Sequence, residues 1–566
     1  MKKETSYGDA GFSHFLRMAF RRHLGHDKED YEKPVIGICN TSSEINRCHS
    51  HLGPIIDAIK RGVIMEGGTP LEFPTISLGE MFISPTTMLY RNLAAMDTEE
   101  MIAAQPIDGV VLLGGCDKMT PAQLMGAASA NKPAIMITGG PMANGEYKGR
   151  ILGACSDCRS YWQEYKAGTV TEEEINEINA ALAPTAGHCM VMGSASTMAA
   201  CAEALGMMLP RGAAIPATMN ERLHSAQETG RAIVRLVKLG IRPSDIMTEK
   251  SFENAIRVLM AIGGSTNAVI HLLAIARRLG IGLDLEKFDE LSRTTPFLAN
   301  LRPAGKYQMQ EFYHAGGVPA VMKELSPLLH LDELTVTGKT IGENIKNVKI
   351  DEAYRDIIRP LGDPLHPDGG IVVLHGNLAP NGAIMKPKAA SNKLLKHRGQ
   401  AVVFSSLQDL EQRIDDPHLE VTPESVLVLQ NAGPVGAPGM PEAGMLPIPR
   451  KLLKMGVRDM VRISDCRMSG TAFGTVVLHV APEAAVGGPI ALVRDGDWIE
   501  LDVEKRTLNL LISEEEMDRR RQEWTPPKFE DYQRGYGWMY RQHVLQANEG
   551  CDFDFLTFDF PYSHKK

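Results

Sequence analysis

Residues 110–126 read VVLLGGCDKMTPAQLMG. Four apolar residues run into two glycines; a cysteine, an aspartate and a lysine follow; Thr120-Pro121 then opens a helical pattern. A short apolar run bounded by glycine reads as a buried strand. A threonine just before a proline reads as a helix N-terminus, with Thr120 as its cap. The expected unit is a strand over 110–113, a turn, and a helix over 120–130. A soft thiol, a hard carboxylate and an amine share that turn.

The same alternation continues on both sides. PVIGIC at 34–39 predicts a buried strand, followed by the polar turn NTSSEINRC and a helix with Ile55, Ile56, Ile59 and Val63 on one face. PAIMIT at 133–138 predicts a third strand, ending in GGPM. Alternating strands and helices predict an α/β unit, a parallel sheet covered by helices. Further helices are expected over 172–182, 189–208, 220–239 and 251–279, the last broken by the turn GGSTN at 263–267. After about residue 370 the pattern changes to short β runs such as QAVVFSS, SVLVLQ, GTVVLHVAP and TLNLLIS, punctuated by Gly, Pro, Asn and Asp. Such runs predict a barrel or a sandwich. The expected division is an α/β domain over 1–380, a β domain over 381–525, and an aromatic-rich tail over 526–566. Disordered tails are poor in aromatics, so this one is expected to pack on the first domain or on a partner subunit.

The 566 residues exceed one core, and the net charge of −9 gives no basic footprint for nucleic acid. The opening residues MKKETSYGDAGF carry no apolar h-region, so no signal peptide is expected. The longest uncharged stretch, around 185–202, is rich in small residues and suits a buried helix better than a membrane span. A cytoplasmic protein without a membrane partner is expected. Nine scattered cysteines do not form a disulfide framework.

In open α/β sheets ligands collect at the carboxyl ends of strands. Cys116, Asp117 and Lys118 lie at such an end. Thiolate suits iron or zinc, and carboxylate suits magnesium or manganese. Neighbours on a turn point different ways, so one segment could serve two metal centres. The plainer reading is a capping aspartate beside a buried cysteine. Cys48 and Cys189 occupy similar turns, and three thiols could converge on one cluster with a metal position left open. Cys155 and Cys158 form the one CxxC; with no second pair to complete a zinc site, a structural or supporting role is expected. GPVGAPGMPEAGM at 433–445 carries a single carboxylate, Glu442, and SDCRMSGTAFG at 464–474 carries Ser464, Asp465, Ser469 and Thr471. Glu442 reads as a ligand or a solvated loop residue, and the serines as site groups or turn chemistry.

Together, PVIGICNTSSEINRCHSHL, FPTISLGE, GGCDKMTPAQLMG, GHCMVMGSASTMA, AIGGSTNAVIHLLAIA, GNLAPNGA, NAGPVGAPGMPE, SDCRMSG and APEAAVGGPIALVRDGD resemble the dihydroxy-acid and sugar-acid dehydratase family. The resemblance implies an α/β N-terminal domain, a C-terminal β-barrel and a homodimer or homotetramer. It implies an iron–sulfur cluster on Cys48, Cys116 and Cys189, of the [2Fe–2S] type with [4Fe–4S] as the alternative. It implies a Mg²⁺ site on Glu80, Asp117 and Glu442, with Lys118 matching a lysine that can carry a carbamate. Ser469 matches the proposed catalytic base, which takes the C2 proton of a 2,3-dihydroxy acid on the way to a 2-keto-3-deoxy acid. Glu80 in SLGE and RMSG at 467–470 resemble the aldonate branch. The expected substrate is therefore a pentonate or hexonate such as arabinonate, xylonate or gluconate. The alternative is 2,3-dihydroxy-isovalerate, or activity on both. A redox protein passing electrons through the cluster would need no Mg²⁺, and a non-catalytic relative would have lost these residues.

Overall fold

The computed structural model describes residues 9–154 and 156–556. Four parallel strands form the N-terminal sheet: β1 (Val35–Asn40), β2 (Thr69–Pro74), β3 (Gly109–Gly114) and β4 (Ala134–Thr138), in the order β2-β1-β3-β4. β3 and β4 are buried at every position, as strands covered by helices must be. β2 carries Pro70 and Pro74 and lies at the edge, where a missing N–H costs no ladder bond. The helices Leu52–Met65 and Asn220–Leu239 meet through glycines: a Cβ on Gly62 would fall 1.9 Å from the Gln227 carbonyl oxygen, and one on Gly230 would fall 2.2 Å from that of Ile59.

The α/β reading of this half holds, with differences of detail. The helix after β3 starts at Met119, with Lys118 in the cap position and no side-chain cap. Thr120, the expected cap, is buried within the first turn. The helix expected over 189–208 spans only Ser194–Ala204. Gly193 is extended at its start, residues 189–193 form a loop, and His188 just before them bridges to Pro141 beyond the end of β4. A hairpin of β5 (Gly145–Tyr147) and β6 (Arg150–Leu152) follows the sheet.

The second half is a closed barrel, which settles the choice between barrel and sandwich. Its strands are β7 (Val372–Gly376), β8 (Ala379–Met385), β9 (Lys396–Phe404), β10 (Val426–Leu429), β11 (Arg462–Ser464), β12 (Val476–Leu478), β13 (Trp498–Asp502) and β14 (Thr507–Leu510), closing in the order β10-β11-β12-β8-β7-β14-β13-β9. Alternation along the strands sets two surfaces. Val426 and Val428 share one core with Leu374 of β7 and Leu508 of β14. Leu427 and Leu429 face a second core built with Leu410 and Leu452.

The chain then returns to the first half. Tyr540, Val544 and Phe553 pack with Met88, Leu89, Ile270 and Met440. The Tyr536 hydroxyl donates to the Leu89 carbonyl at 2.8 Å, and the fully buried Arg278 pairs with Asp552 at 2.5 Å and Glu99 at 2.8 Å. Residues 557–566, the last of the expected tail, lie outside the described residues. Among the described residues no helix is long and apolar enough to cross a membrane.

Candidate active site

Three loops meet at the carboxyl edge of the sheet: those after β1 and β3, and the segment leading into the helix at Ser194, which lies against the end of β4. His49 joins the first two. Its Nδ1 donates to the Thr41 carbonyl at 3.0 Å, and its Nε2 accepts the Cys116 N–H at 2.9 Å. Those two bonds require a neutral ring, and burial pushes His49 down to about 4. The turn bearing Cys48 is thereby fixed against Cys116. The neighbouring Cys48 thiol first, and burial second, push the Cys116 thiol well above its ordinary value. The third loop pairs backbone to backbone with the end of β4. The His188 N–H donates to the Gly140 carbonyl at 3.1 Å, and the Met142 N–H donates to the His188 carbonyl at 2.9 Å. Cys189 follows directly, half-buried beside Met142, Ala154, Met190 and Val191. Cys158 is half-buried in the helix Asp157–Ala167, and Cys155 lies outside the described residues.

Beside the thiol pair lies an acidic pocket built from both halves of the chain. The ammonium of Lys118, fully buried, is paired with Asp117, stands 3.3 Å from Glu80, and lies 3.8 Å from Glu442 in the barrel half. Glu80 accepts from Thr86 Oγ1 at 3.2 Å and also from Thr87. Glu442 accepts from Arg467 Nη1 at 3.0 Å and from Asn267 Nδ2 at 3.1 Å. Burial pushes the Glu80 carboxyl up, and its neighbours Asp117 and Glu442 add to the rise against the pull of Lys118. For Glu442 burial raises as well, but Lys118 and Arg467 together outweigh it and hold the group below its ordinary value. Burial of Lys118 is outweighed by Asp117 and Glu80, which keep it an ammonium.

Among the described residues no three His, Cys, Asp or Glu side chains already surround one point as metal ligands; here the lysine ammonium sits among the carboxylates. The donor chemistry nonetheless fits two different metals. Three carboxylates exceed the two cations that touch them, and such an excess of hard oxygen suits a divalent cation. Of the soft donors, Cys116 stands on the same turn as Asp117, and Cys48 on the turn after β1.

The Ser469 turn approaches from the barrel. Ser469 Oγ and Thr471 Oγ1 share a hydrogen bond of 2.9 Å. Gly470 permits the approach, because a Cβ there would fall 2.7 Å from both the Ser194 nitrogen and the Ser265 hydroxyl. Ser194 Oγ accepts from Asn267 Nδ2 at 2.9 Å, and that same amide reaches Glu442. The serine turn thus connects to the acidic pocket through two residues. Ser464 and Asp465 serve the loop instead: Ser464 Oγ accepts the Cys466 N–H, while Asp465 accepts the N–H groups of Ala432 and Ala484, each at 2.9 Å.

The sequence reading passed over His49, Thr86, Thr87, Asn267 and Arg467. Each is a polar residue inside a stretch already marked by its glycines or turn chemistry, and Arg467 is a lone cation two residues before Ser469. That local density of polar groups was the available signal.

A chain of two such units corresponds to a known class of dehydratases. Residues 33–344 match the dihydroxy-acid/6-phosphogluconate dehydratase N-terminal family, and residues 356–551 match the corresponding C-terminal family. The chain belongs to this family. It is 49% identical to the L-arabinonate dehydratase of Rhizobium leguminosarum bv. trifolii (strain WSM2304), over 98% of this chain and 96% of that one. It is 48% identical to the 6-deoxy-6-sulfo-D-gluconate dehydratase of Pseudomonas putida, over 96% and 94%. With the dihydroxy-acid dehydratase of Halothermothrix orenii (strain H 168 / OCM 544 / DSM 9562) it shares 42%, over 96% and 98%.

Proposed function

We propose that the protein is a hydro-lyase that removes water from a pentonate or hexonate, such as arabinonate, xylonate or gluconate, and yields the 2-keto-3-deoxy acid. One observation carries this reading: Glu80 and Asp117 from the α/β half and Glu442 from the barrel half converge on one buried lysine, beside the neighbouring thiols of Cys116 and Cys48. Glu80, Asp117 and Glu442 would hold Mg²⁺, and Cys48, Cys116 and Cys189 would hold a [2Fe–2S] cluster, or less simply a [4Fe–4S] one. Bound there, the two centres would supply charge neutralisation for the substrate's carboxylate end and Lewis acidity for the departing hydroxyl. Lys118 is the counter-cation of the carboxylates; its carbamylation requires a neutral amine, the form a divalent cation in its place would favour.

Within this chain, Ser469, oriented by Thr471, takes the proton from C2. The C3–O bond breaks, the departing hydroxide takes up the proton that Ser469 removed from C2 and leaves as water, and the enol tautomerises to the ketone. C2 is oxidised by two electrons as C3 is reduced by two within the substrate, so no external electron acceptor is consumed. Arg467 and Asn267 hold Glu442, and Thr86 and Thr87 hold Glu80, so the pocket is shaped before substrate arrives. The choice of a sugar acid is supported by Glu80 and RMSG, and by the names of the relatives at 48–49% identity. Relatives named dihydroxy-acid dehydratases at 42% support 2,3-dihydroxy-isovalerate as the second reading. The expected setting is a cytoplasmic homodimer or homotetramer.

The test is an anaerobic assay of purified protein against pentonates, hexonates and 2,3-dihydroxy-isovalerate, with no electron acceptor and with 2-keto acid as readout. Keto acid from an aldonate is the expected result. Turnover of dihydroxy-isovalerate alone would replace the substrate, and a strict need for an electron acceptor would replace the reaction.

A further inference from the structure

Arg467 is fully buried, and every arm of its fork is used. Nη1 donates to Glu442 Oε1 at 3.0 Å, Nη2 to Thr86 Oγ1 at 3.2 Å, and Nε to the Met440 carbonyl at 2.8 Å. The Thr86 hydroxyl passes the contact on, donating to Glu80 Oε1 at 3.2 Å. One rigid guanidinium therefore fixes Glu442 directly and Glu80 through a single hydroxyl. These two carboxylates come from opposite halves of the chain. We propose that Arg467 is a positioning residue that keeps Glu80 and Glu442 in register as ligands of a divalent cation, and so makes the cation site depend on the docking of barrel against α/β unit.

This rests on the acidic pocket being the cation site proposed above. Arg467 is not itself a ligand, since a cation does not coordinate a cation. Its role follows from shape. The planar fork offers donors in fixed directions, which a lysine ammonium cannot reproduce. Lys118 already lies 3.8 Å from Glu442, so loss of the fork would leave that carboxylate to the ammonium and the Asn267 amide, both from the α/β half. The backbone under Glu442 is shaped for the same contact. Gly439 and Met440 both have left-handed φ, 91° and 46°, and Arg467 caps the carbonyl that Met440 presents. A residue such as methionine adopts that region only when its surroundings hold it there. Gly439 also sits where a Cβ would fall 2.6 Å from the Leu89 nitrogen, so this loop is seated directly on the helix that begins at Thr87.

The test is Mn²⁺ binding to full-length protein stripped with EDTA, followed by the paramagnetic resonance of free Mn²⁺, so that activity is not the readout. Arg467→Met is expected to raise the Kd at least tenfold, Arg467→Lys to fall between it and wild type, and Thr86→Val, which cuts the relay to Glu80, to raise it severalfold. Glu442→Gln is the control that should lose the ion. A purely structural role would lower the thermal midpoint of Arg467→Met and leave the Kd of the folded protein unchanged; that result, with Glu442→Gln impaired, overturns the inference alone. If Arg467→Met does not fold, an unchanged Kd in Thr86→Val overturns it. Wild-type protein that binds no Mn²⁺, or Glu442→Gln that binds normally, would remove the cation site and this inference with it.

Discussion

Ser469 reaches the site because the next residue has no side chain. Its turn lies against Ser194 and Ser265, and its hydroxyl is oriented by Thr471 at 2.9 Å. Removing that hydroxyl deletes a base without touching the carboxylates or thiols. Ser469→Ala should lower kcat by about 10²–10⁴-fold, the range of a positioned base, while cluster absorbance and Mn²⁺ affinity stay at wild-type values. Near-normal kcat would take Ser469 out of the reaction. Cys116, Asp117 and Lys118 could be singled out from sequence because a strand–turn–helix pattern marks its own carboxyl end locally. Arg467 and Asn267 lie in stretches that were marked, but nothing local names their partners. The partner Thr86 lies 381 residues from Arg467, and Glu442 lies 175 residues from Asn267, so their meaning exists only once the two halves dock.

At the scale of elements, the loop carrying Glu442 is anchored by two buried carboxylates. Asp465 holds Ala432, and Glu483 accepts the N–H groups of Val435 and Gly436 at 2.9 Å. Burial pushes Asp465 up to about 6; for Glu483 burial, with the charge of Asp465 added, gives about 7. Both folded values exceed the ordinary carboxylate range, so ionisation is disfavoured in the fold. The penalty is complete above pH 7, shrinks as pH falls through 7 and 6, and vanishes below the unfolded values. Stability to urea should therefore rise as pH falls from about 7 to about 5, through Glu483 first and through Asp465 as well below about 6, with a slope of about 1.4 kcal/mol per pH unit for each fully responding group. A flat profile across that window would show that the two carboxyls do not titrate there. The returning tail has an apolar counterpart in Phe553, fully buried against Tyr540 and Tyr536. Phe553→Ala should cost about 3–5 kcal/mol, read as a lower urea midpoint. The β runs after 370 were visible because short strands carry their turn residues with them. Barrel closure was not, since β9 pairs with both β10 and β13, and strand periodicity does not encode partners. Nor was the shortened helix at Ser194: the residues from Cys189 to Gly193 have a helix-compatible apolar pattern, but backbone bonds to the end of β4 pull the adjoining segment into a loop.

For the whole molecule, the composition change near 370 marked two units but gave no hint that the pocket would be shared between them. That sharing has a thermodynamic consequence. A cation held by Glu80 and Asp117 on one side and Glu442 on the other binds only the docked, folded chain, so it stabilises the fold by mass action. At a free concentration one hundred times its Kd the gain is about 2.7 kcal/mol. The thermal midpoint of EDTA-treated protein should climb with the logarithm of added Mg²⁺, and EDTA should reverse the rise. Glu442→Gln should flatten the response by removing the barrel's share of the ligands, and Lys118 would then keep two carboxylates instead of three. Asp117 and Glu80 both lie in the α/β half, so a cation bound by them alone would leave barrel docking untouched. The discriminating measurement is hydrogen exchange over residues 434–444. Slower exchange there on Mg²⁺ addition is expected if the ion joins the halves, and protection confined to residues 78–90 and 114–120 would place it in the α/β unit alone.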